Sequence, residues 1–175
     1  MFDCGKNAVR GRFVLLRHTY PVSQSGTDHW DLMLESPGGD LLTWRLLALP
    51  EPFDQGASLR LPAERLPNHR LQYLEYEGPI SGGRGAVRRA EAGRFAAQWT
   101  GDRCQPPSPI VGSSGSGQAP DASAAPQSAM SLAAVSQPHW EVRLTGATLS
   151  ARLAIPSVPV GVPVELVVHQ WHWRC

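Results

Sequence analysis

Apolar and polar residues alternate in short runs along much of the chain, with the period of two that is typical of β-strands. Three of these runs lie in the first third of the sequence: RFVLLRH (residues 12–18), HWDLMLE (29–35) and DLLTWRLLAL (40–49). The segment SPGG joins the second run to the third, and its proline and glycines favour a tight hairpin turn. The pattern therefore predicts a β-hairpin over residues 29–49.

Similar runs continue to the end of the chain. The further predicted strands are LQYLEYEG (71–78), GAVRRAEAGRF (85–95, with a turn near Gly93), HWEVRLTGATLSARLAI (139–155) and VELVVHQWHW (164–173). The clearest helical signal is a single short turn over PAERLPN (62–68). Many short strands with few short helices predict an all-β, mainly antiparallel fold, either a β-barrel or a β-sandwich.

Residues 105–138 depart from this alternation. They are rich in proline, serine, alanine and glycine and almost free of charge. A segment of this composition buries too little apolar surface to offset the entropy of ordering it. Because alternation resumes after it, we predict a disordered insertion within a single domain of residues 1–175.

Composition narrows the class of protein. The chain has 175 residues, 42% hydrophobic and 18% charged, which is typical of one soluble globular domain. No stretch approaches the roughly 20 apolar residues of a membrane helix, and the first residues lack an apolar signal core, so we expect a cytoplasmic protein with no membrane partner. The net charge of +1 argues against coating nucleic acid by bulk charge. Three widely spaced cysteines, Cys4, Cys104 and Cys175, predict reduced thiols.

The run HWDLMLE carries the first candidate chemistry. Alternation places His29 and Asp31 on one face of the strand with Met33 beside them, and Trp30, Leu32 and Leu34 on the opposite, core face. His18 ends the preceding strand and could complete a set of two histidines and one carboxylate. Such donors suit Mn²⁺, Zn²⁺ or Fe²⁺ and leave coordination positions open for substrate. The alternative is that each histidine is a partly exposed strand residue with one hydrogen bond.

His69 and Tyr73 form a second candidate pair. They are four residues apart, so they share a face whether the segment is a strand or a helix. A histidine near a metal can donate a proton or stabilise charge on a transferring phosphoryl group, and a tyrosine hydroxyl can hydrogen-bond the same oxygens. The alternative for Tyr73 is an amphipathic core aromatic.

Glycines and arginines cluster in and after EGPISGGRG (77–85). The backbone N–H groups of this loop could hold a phosphate, although a plain hairpin connection is the stronger interpretation. Arg84 and the neighbouring Arg88, Arg89 and Arg94 form either a solvated edge or a phosphate-binding patch.

These motifs, in this order, resemble the 3′-phosphoesterase module of the bacterial multidomain DNA repair enzyme ligase D. The matching stretches are FVLLRH, HWDLMLE, LLTWRL, HRLQYLEYEGPISGG and EAGRF, followed after the insertion by VRLTGATLSARLAI and QWHW. The resemblance covers most of residues 12–104 and, more loosely, 139–173. It implies a compact β-barrel with a metal site in a groove on one side.

The resemblance also implies a set of functional residues. His18, His29 and Asp31 match the residues that hold the family's metal, typically Mn²⁺, and His69 and Tyr73 match those that act on the phosphate. The family removes a terminal ribonucleoside and then the 3′-phosphate from DNA 3′ ends, which implies primer–template DNA as substrate and DNA repair proteins as partners. The candidate phosphate contacts are arginines upstream of His69 and in the glycine-rich loop: Arg60, Arg65 and Arg84.

The chain departs from the family at several positions. Met33 stands where the family has an arginine, Leu16 replaces a glutamine, and LLALPEP lacks the lysine that follows the tryptophan strand. Losing an arginine removes a bidentate, permanently charged contact. Beside a phosphoesterase, the sequence is therefore compatible with a non-catalytic module that binds nucleic-acid ends or a partner protein, and with a hydrolase of small phosphoesters.

Overall fold

The computed structural model describes residues 8–21, 26–53, 56–101 and 138–174. Nine strands and one 3-10 helix cover most of them. The strands are β1 Val9–Thr19, β2 His29–Glu35, β3 Asp40–Leu46, β4 Leu59–Arg70, β5 Gly78–Pro79, β6 Ala86–Trp99, β7 His139–Gly146, β8 Leu149–Pro156 and β9 Pro163–Trp173. The 3-10 helix spans Leu71–Leu74.

The strands form a closed antiparallel β-barrel, which confirms the predicted fold class. The strand order is β1-β2-β3-β4-β9-β8-β7-β6, and a long pairing between β1 and β6 closes the ring of eight strands. The short β5 pairs with the start of β6, at the part of that strand that β7 does not reach. The predicted hairpin is also present, with β2 and β3 joined through Ser36–Gly39.

The interior of the barrel holds the larger of two apolar clusters. Every barrel strand contributes inward side chains to it, among them Phe13, Leu32, Trp44 and Trp171. Since successive side chains point to opposite faces of a strand, the intervening residues of β1 and β2 face outward.

A smaller apolar cluster lies on the outer face of the barrel. It contains Val14, Leu16, Met33, Leu41, Leu74 and Val87. The 3-10 helix supplies Leu74, so this short element covers the outer face of β1, β2 and β3. Met33 is 1% exposed there, which accounts for a methionine on the face of HWDLMLE that also carries a histidine and a carboxylate.

Three local predictions are wrong. Residues 62–68 are not a helical turn but part of β4, which pairs with β9 and β3 and accommodates Pro67 where the register with β3 shifts. Residues 71–77 are not a strand, because the apolar side chains of the 3-10 helix pack on the outer cluster, and only Gly78 of the predicted strand lies in one, β5. No turn occurs at Gly93, where β6 continues and a Cβ would lie 2.2 Å from the carbonyl oxygen of Thr145.

Other predictions fall outside the described residues. These are the reduced state of all three cysteines and, apart from Pro138, the whole of the predicted insertion 105–138. Within the described ranges, no helix has the length and apolar character needed to span a membrane.

Candidate metal centre

The three predicted metal ligands come together at the ends of β1 and β2. His18 and His29 lie directly opposite each other in the β1–β2 register, and Asp31 follows two residues further along β2. Their side chains point outward from the barrel next to the outer apolar cluster. All three residues are buried, with exposures of 8%, 4% and 4%.

The donor atoms of the three residues converge. His18 Nδ1 lies 3.6 Å from Asp31 Oδ2, and His29 Nε2 lies 3.6 Å from Asp31 Oδ1. One donor atom from each residue lies within 4.8 Å of the other two. A group of two imidazoles and one carboxylate at this separation could hold a divalent transition metal.

Backbone carbonyls fix the tautomer of each histidine. His18 Nε2–H donates to the carbonyl oxygen of Arg84 at 2.6 Å, and His29 Nδ1–H donates to that of Thr27 at 2.7 Å. Because a carbonyl oxygen only accepts, the ring nitrogen facing it carries the proton in each case. The other nitrogen of each ring then presents its lone pair toward Asp31. Metal-bound histidines are oriented by hydrogen bonds of this kind.

Two of these donor atoms are buried without a hydrogen-bond partner among the described residues: His29 Nε2 and Asp31 Oδ1. An unsatisfied buried polar atom costs roughly 1–3 kcal/mol. Two such atoms on neighbouring residues whose side chains converge fit a site whose donors bind an ion.

Electrostatics favour an ionised carboxylate at this position. Burial opposes the charge on Asp31, but His18 and His29 outweigh it and lower the pKa of Asp31 to about 2. Burial likewise opposes a charge on His18, but Asp31 and the Arg84 carbonyl raise the pKa of His18. A metal ion would therefore meet a negative Asp31 and would displace a proton wherever His18 is protonated.

The donor group forms the end of a pocket of about 170 Å³. His69 and Tyr73 also line it, so both residues that the sequence predicts to act on phosphate share a pocket with the candidate metal ligands. Their rings meet edge to face with centroids 5.4 Å apart. His69 Nδ1–H donates to the carbonyl oxygen of Pro67 at 2.9 Å, which leaves Nε2 as the free acceptor of this ring.

The three predicted phosphate contacts have different positions. Arg84 lines the pocket, although its Nε–H donates to the carbonyl of Ser81 in its own loop. Arg60 lies outside the pocket lining and pairs with Glu165 at 2.7 Å. Arg65 is also outside it, buried with its guanidinium over the Trp44 ring.

Sequence reasoning missed two polar residues of the pocket, Tyr20 and Arg45. Tyr20 stacks on His18 with ring centroids 4.6 Å apart, but it follows the end of β1 and no periodicity marks it. Arg45 lines the pocket and lies opposite Asp31 in the β2–β3 register. The predicted hairpin turn could have revealed Arg45, because the turn sets the register of both strands.

No protein-family model matches this chain, and a search of curated proteins gives no match either. The resemblance to the ligase D phosphoesterase module therefore rests on the motifs and their order alone.

Proposed function

We propose that this protein is a metal-dependent phosphoesterase that processes DNA 3′ ends in repair, removing a 3′-phosphate or a terminal 3′-ribonucleotide. The observation that carries the proposal is the buried group of His18, His29 and Asp31, with tautomers fixed by carbonyls and two donor atoms lacking a partner. The motif order shared with the ligase D module supplies the substrate class.

His18 Nδ1, His29 Nε2 and an oxygen of Asp31 would hold the metal, with Mn²⁺ the first choice and Zn²⁺ or another transition metal as alternatives. When bound, such a metal polarises phosphoryl oxygens and offsets their negative charge. A set of three protein ligands would leave the metal able to bind substrate as well.

In this proposal His69 and Tyr73, which line the same pocket, act on the phosphoryl group. His69 is oriented by Pro67, so its Nε2 faces away from that carbonyl and can exchange a proton with a substrate oxygen. The hydroxyl of Tyr73 can donate to a phosphoryl oxygen as charge develops on it. Both residues contact substrate and are therefore catalytic in this proposal.

The size of the pocket favours a terminal group over a whole ligand. Pockets that enclose small-molecule ligands commonly measure about 300–1,000 Å³. A volume of about 170 Å³ admits a phosphoryl group and leaves the remainder of the substrate outside. This supports end processing of a polymer over hydrolysis of an enclosed small phosphoester.

Phosphate release from a primer–template with a 3′-phosphate tests the proposal. The wild-type protein should release phosphate with Mn²⁺ and lose this activity with a chelator. His29→Ala and Asp31→Asn should each reduce the rate at least 100-fold, because each removes a ligand. His172→Ala, an exposed histidine of β9, is the matched control and should retain the rate. Undiminished release by the two ligand variants would contradict the proposal.

A non-catalytic end-binding module is the second candidate. The scarcity of phosphate-binding side chains favours it. Met33 is buried among apolar side chains. The Arg84 guanidinium is hydrogen-bonded within its own loop. Fluorescence anisotropy with labelled primer–template, with and without Mn²⁺, separates the candidates. Tight binding of the DNA without release of phosphate supports the binding module. Release of many phosphates per protein molecule excludes it.

A further inference from the structure

Arg45 stands beside the metal ligands without neutralising them. It lies directly opposite Asp31 across β2 and β3 and lines the same pocket. Within the described residues its one ion pair is with Glu64, where Nη1 lies 3.2 Å from Oε2.

The guanidinium of Arg45 has an unused donor. Its Nε atom is buried and has no hydrogen-bond partner among the described residues. The opposite part of the guanidinium is anchored by Glu64, the residue that faces Arg45 in the β3–β4 register. Glu64 therefore fixes the side chain while the Nε–H is left without an acceptor.

A positive charge next to a cation site weakens binding of the cation unless an anion lies between them. In the lining of this pocket Asp31 is the one carboxylate, and the metal would bind it, whereas His69 and Tyr73 are hydrogen-bonding groups rather than anions. The missing partner of both the metal and Arg45 is therefore an anionic ligand. An arginine fork binds phosphoryl oxygens more strongly than a neutral donor does.

We propose that Arg45 binds the phosphoryl group of the substrate, and that Glu64 is the residue that positions it. This inference rests on the proposed function and identifies the residue that contacts the oxyanion. Met33 and Asp31 of β2 and Arg45 of β3 lie on the same outward face of the barrel. Arg45 therefore lines, from the neighbouring strand, the same pocket as Met33.

The test measures two affinities of one variant that should change in opposite directions. Inorganic phosphate is titrated into the Mn²⁺-loaded protein and followed by ³¹P relaxation, and Mn²⁺ affinity is measured separately by electron paramagnetic resonance. Arg45→Gln should raise the phosphate Kd at least about tenfold, as expected for loss of a charge-assisted contact. The same variant should bind Mn²⁺ as tightly as the wild type or more tightly, because a repelling charge is gone.

Arg152→Gln is the matched control. The side chain of Arg152 is 39% exposed and that of Arg45 is 37% exposed. Arg152 lies on β8 and, like Arg45, is near a glutamate of the adjacent strand, Glu141 of β7. It should change neither affinity. Arg45→Lys keeps the charge but loses the fork, so it should weaken phosphate binding several-fold, and it serves if Arg45→Gln fails to fold.

The inference is overturned if Arg45→Gln binds phosphate as the wild type does, or if phosphate and Mn²⁺ binding weaken together as they would after structural damage. The same holds if the wild-type protein binds no phosphate. Failure of the proposed function looks different: phosphate binding would depend on Arg45, yet the DNA 3′-phosphate would stay uncleaved.

Discussion

Single residues at the metal centre could be predicted because strand alternation fixes which side chains share a face. His29 and Asp31 are two apart on one strand, so a correct strand assignment places them together. The contribution of His18 depends on its register opposite His29, which a list of strands leaves open. The carbonyls of Thr27 and Arg84 could not be foreseen, because backbone oxygens carry no sequence signal.

Glu91 is a buried carboxylate that sequence reasoning did not single out. It is 5% exposed and accepts hydrogen bonds from the backbone N–H groups of Ala147, Thr148 and Leu149 in the β7–β8 turn. Burial alone would raise the pKa of Glu91, but hydrogen bonds from the Thr148 hydroxyl and from the backbone N–H groups of Thr148, Ala92 and Leu149 outweigh it and lower the pKa below its ordinary value of 4.5. The charged side chain thus joins β6 to the adjacent turn.

We expect Glu91→Gln to lower the free energy of unfolding by about 2–3 kcal/mol at pH 7, since a neutral amide is a weaker acceptor and brings an unwanted donor. A lowered pKa means that the stabilisation is complete above pH 4.5 and is lost as the pH falls through the folded-state pKa. Urea unfolding at pH 7 and pH 3 should show the difference between variant and wild type shrinking in acid. Glu165→Gln, which breaks the exposed pair with Arg60, should cost under about 1 kcal/mol. An equal cost in both variants would contradict this role of Glu91.

At the scale of elements, the loop between β5 and β6 orients His18, one of the three candidate metal ligands. Its residue Arg84 accepts the hydrogen bond from His18, and the adjacent Gly85 has a φ of +78°. A Cβ at Gly85 would lie 2.1 Å from the carbonyl oxygen of Thr19. The glycine-rich motif predicted a hairpin connection, and it is one, but its contact with His18 depends on packing that only the fold shows.

Gly85→Ala should therefore push this loop away from β1 and release His18 from the Arg84 carbonyl. We expect the Kd for Mn²⁺ to rise about 10- to 100-fold, the range seen when residues that orient metal ligands are changed. Gly82→Ala is the control, because it has a similar φ of +76° but its nearest neighbour is the flexible Arg84 Nε at 4.0 Å. Isothermal titration of both variants checks this. If Mn²⁺ binding weakens equally in both variants, the cause is backbone strain at a glycine with positive φ and not the clash with Thr19, which would contradict the prediction.

On the scale of the whole molecule, two apolar clusters on opposite faces of the same strands explain both the fold and the site. Side chains on both faces of β2 are buried. Leu32 and Leu34 pack inside the barrel, and Met33 packs in the outer apolar cluster. Alternation predicted the inner face and an all-β barrel or sandwich, and the family resemblance favoured the barrel. The outer cluster depends on the 3-10 helix over β1–β3, and the sequence Leu71–Leu74 alternates in a way that instead predicted a strand.

Anomalous diffraction from crystals grown with Mn²⁺ tests the central claim most directly, because it locates the ion without assuming any reaction. The account predicts one strong peak within about 2.5 Å of His18 Nδ1, His29 Nε2 and an oxygen of Asp31, with open coordination toward His69 and Tyr73. The peak should be absent from crystals of Asp31→Asn. A wild-type structure with Mn²⁺ bound elsewhere, or with these three side chains turned away from one another, would contradict it.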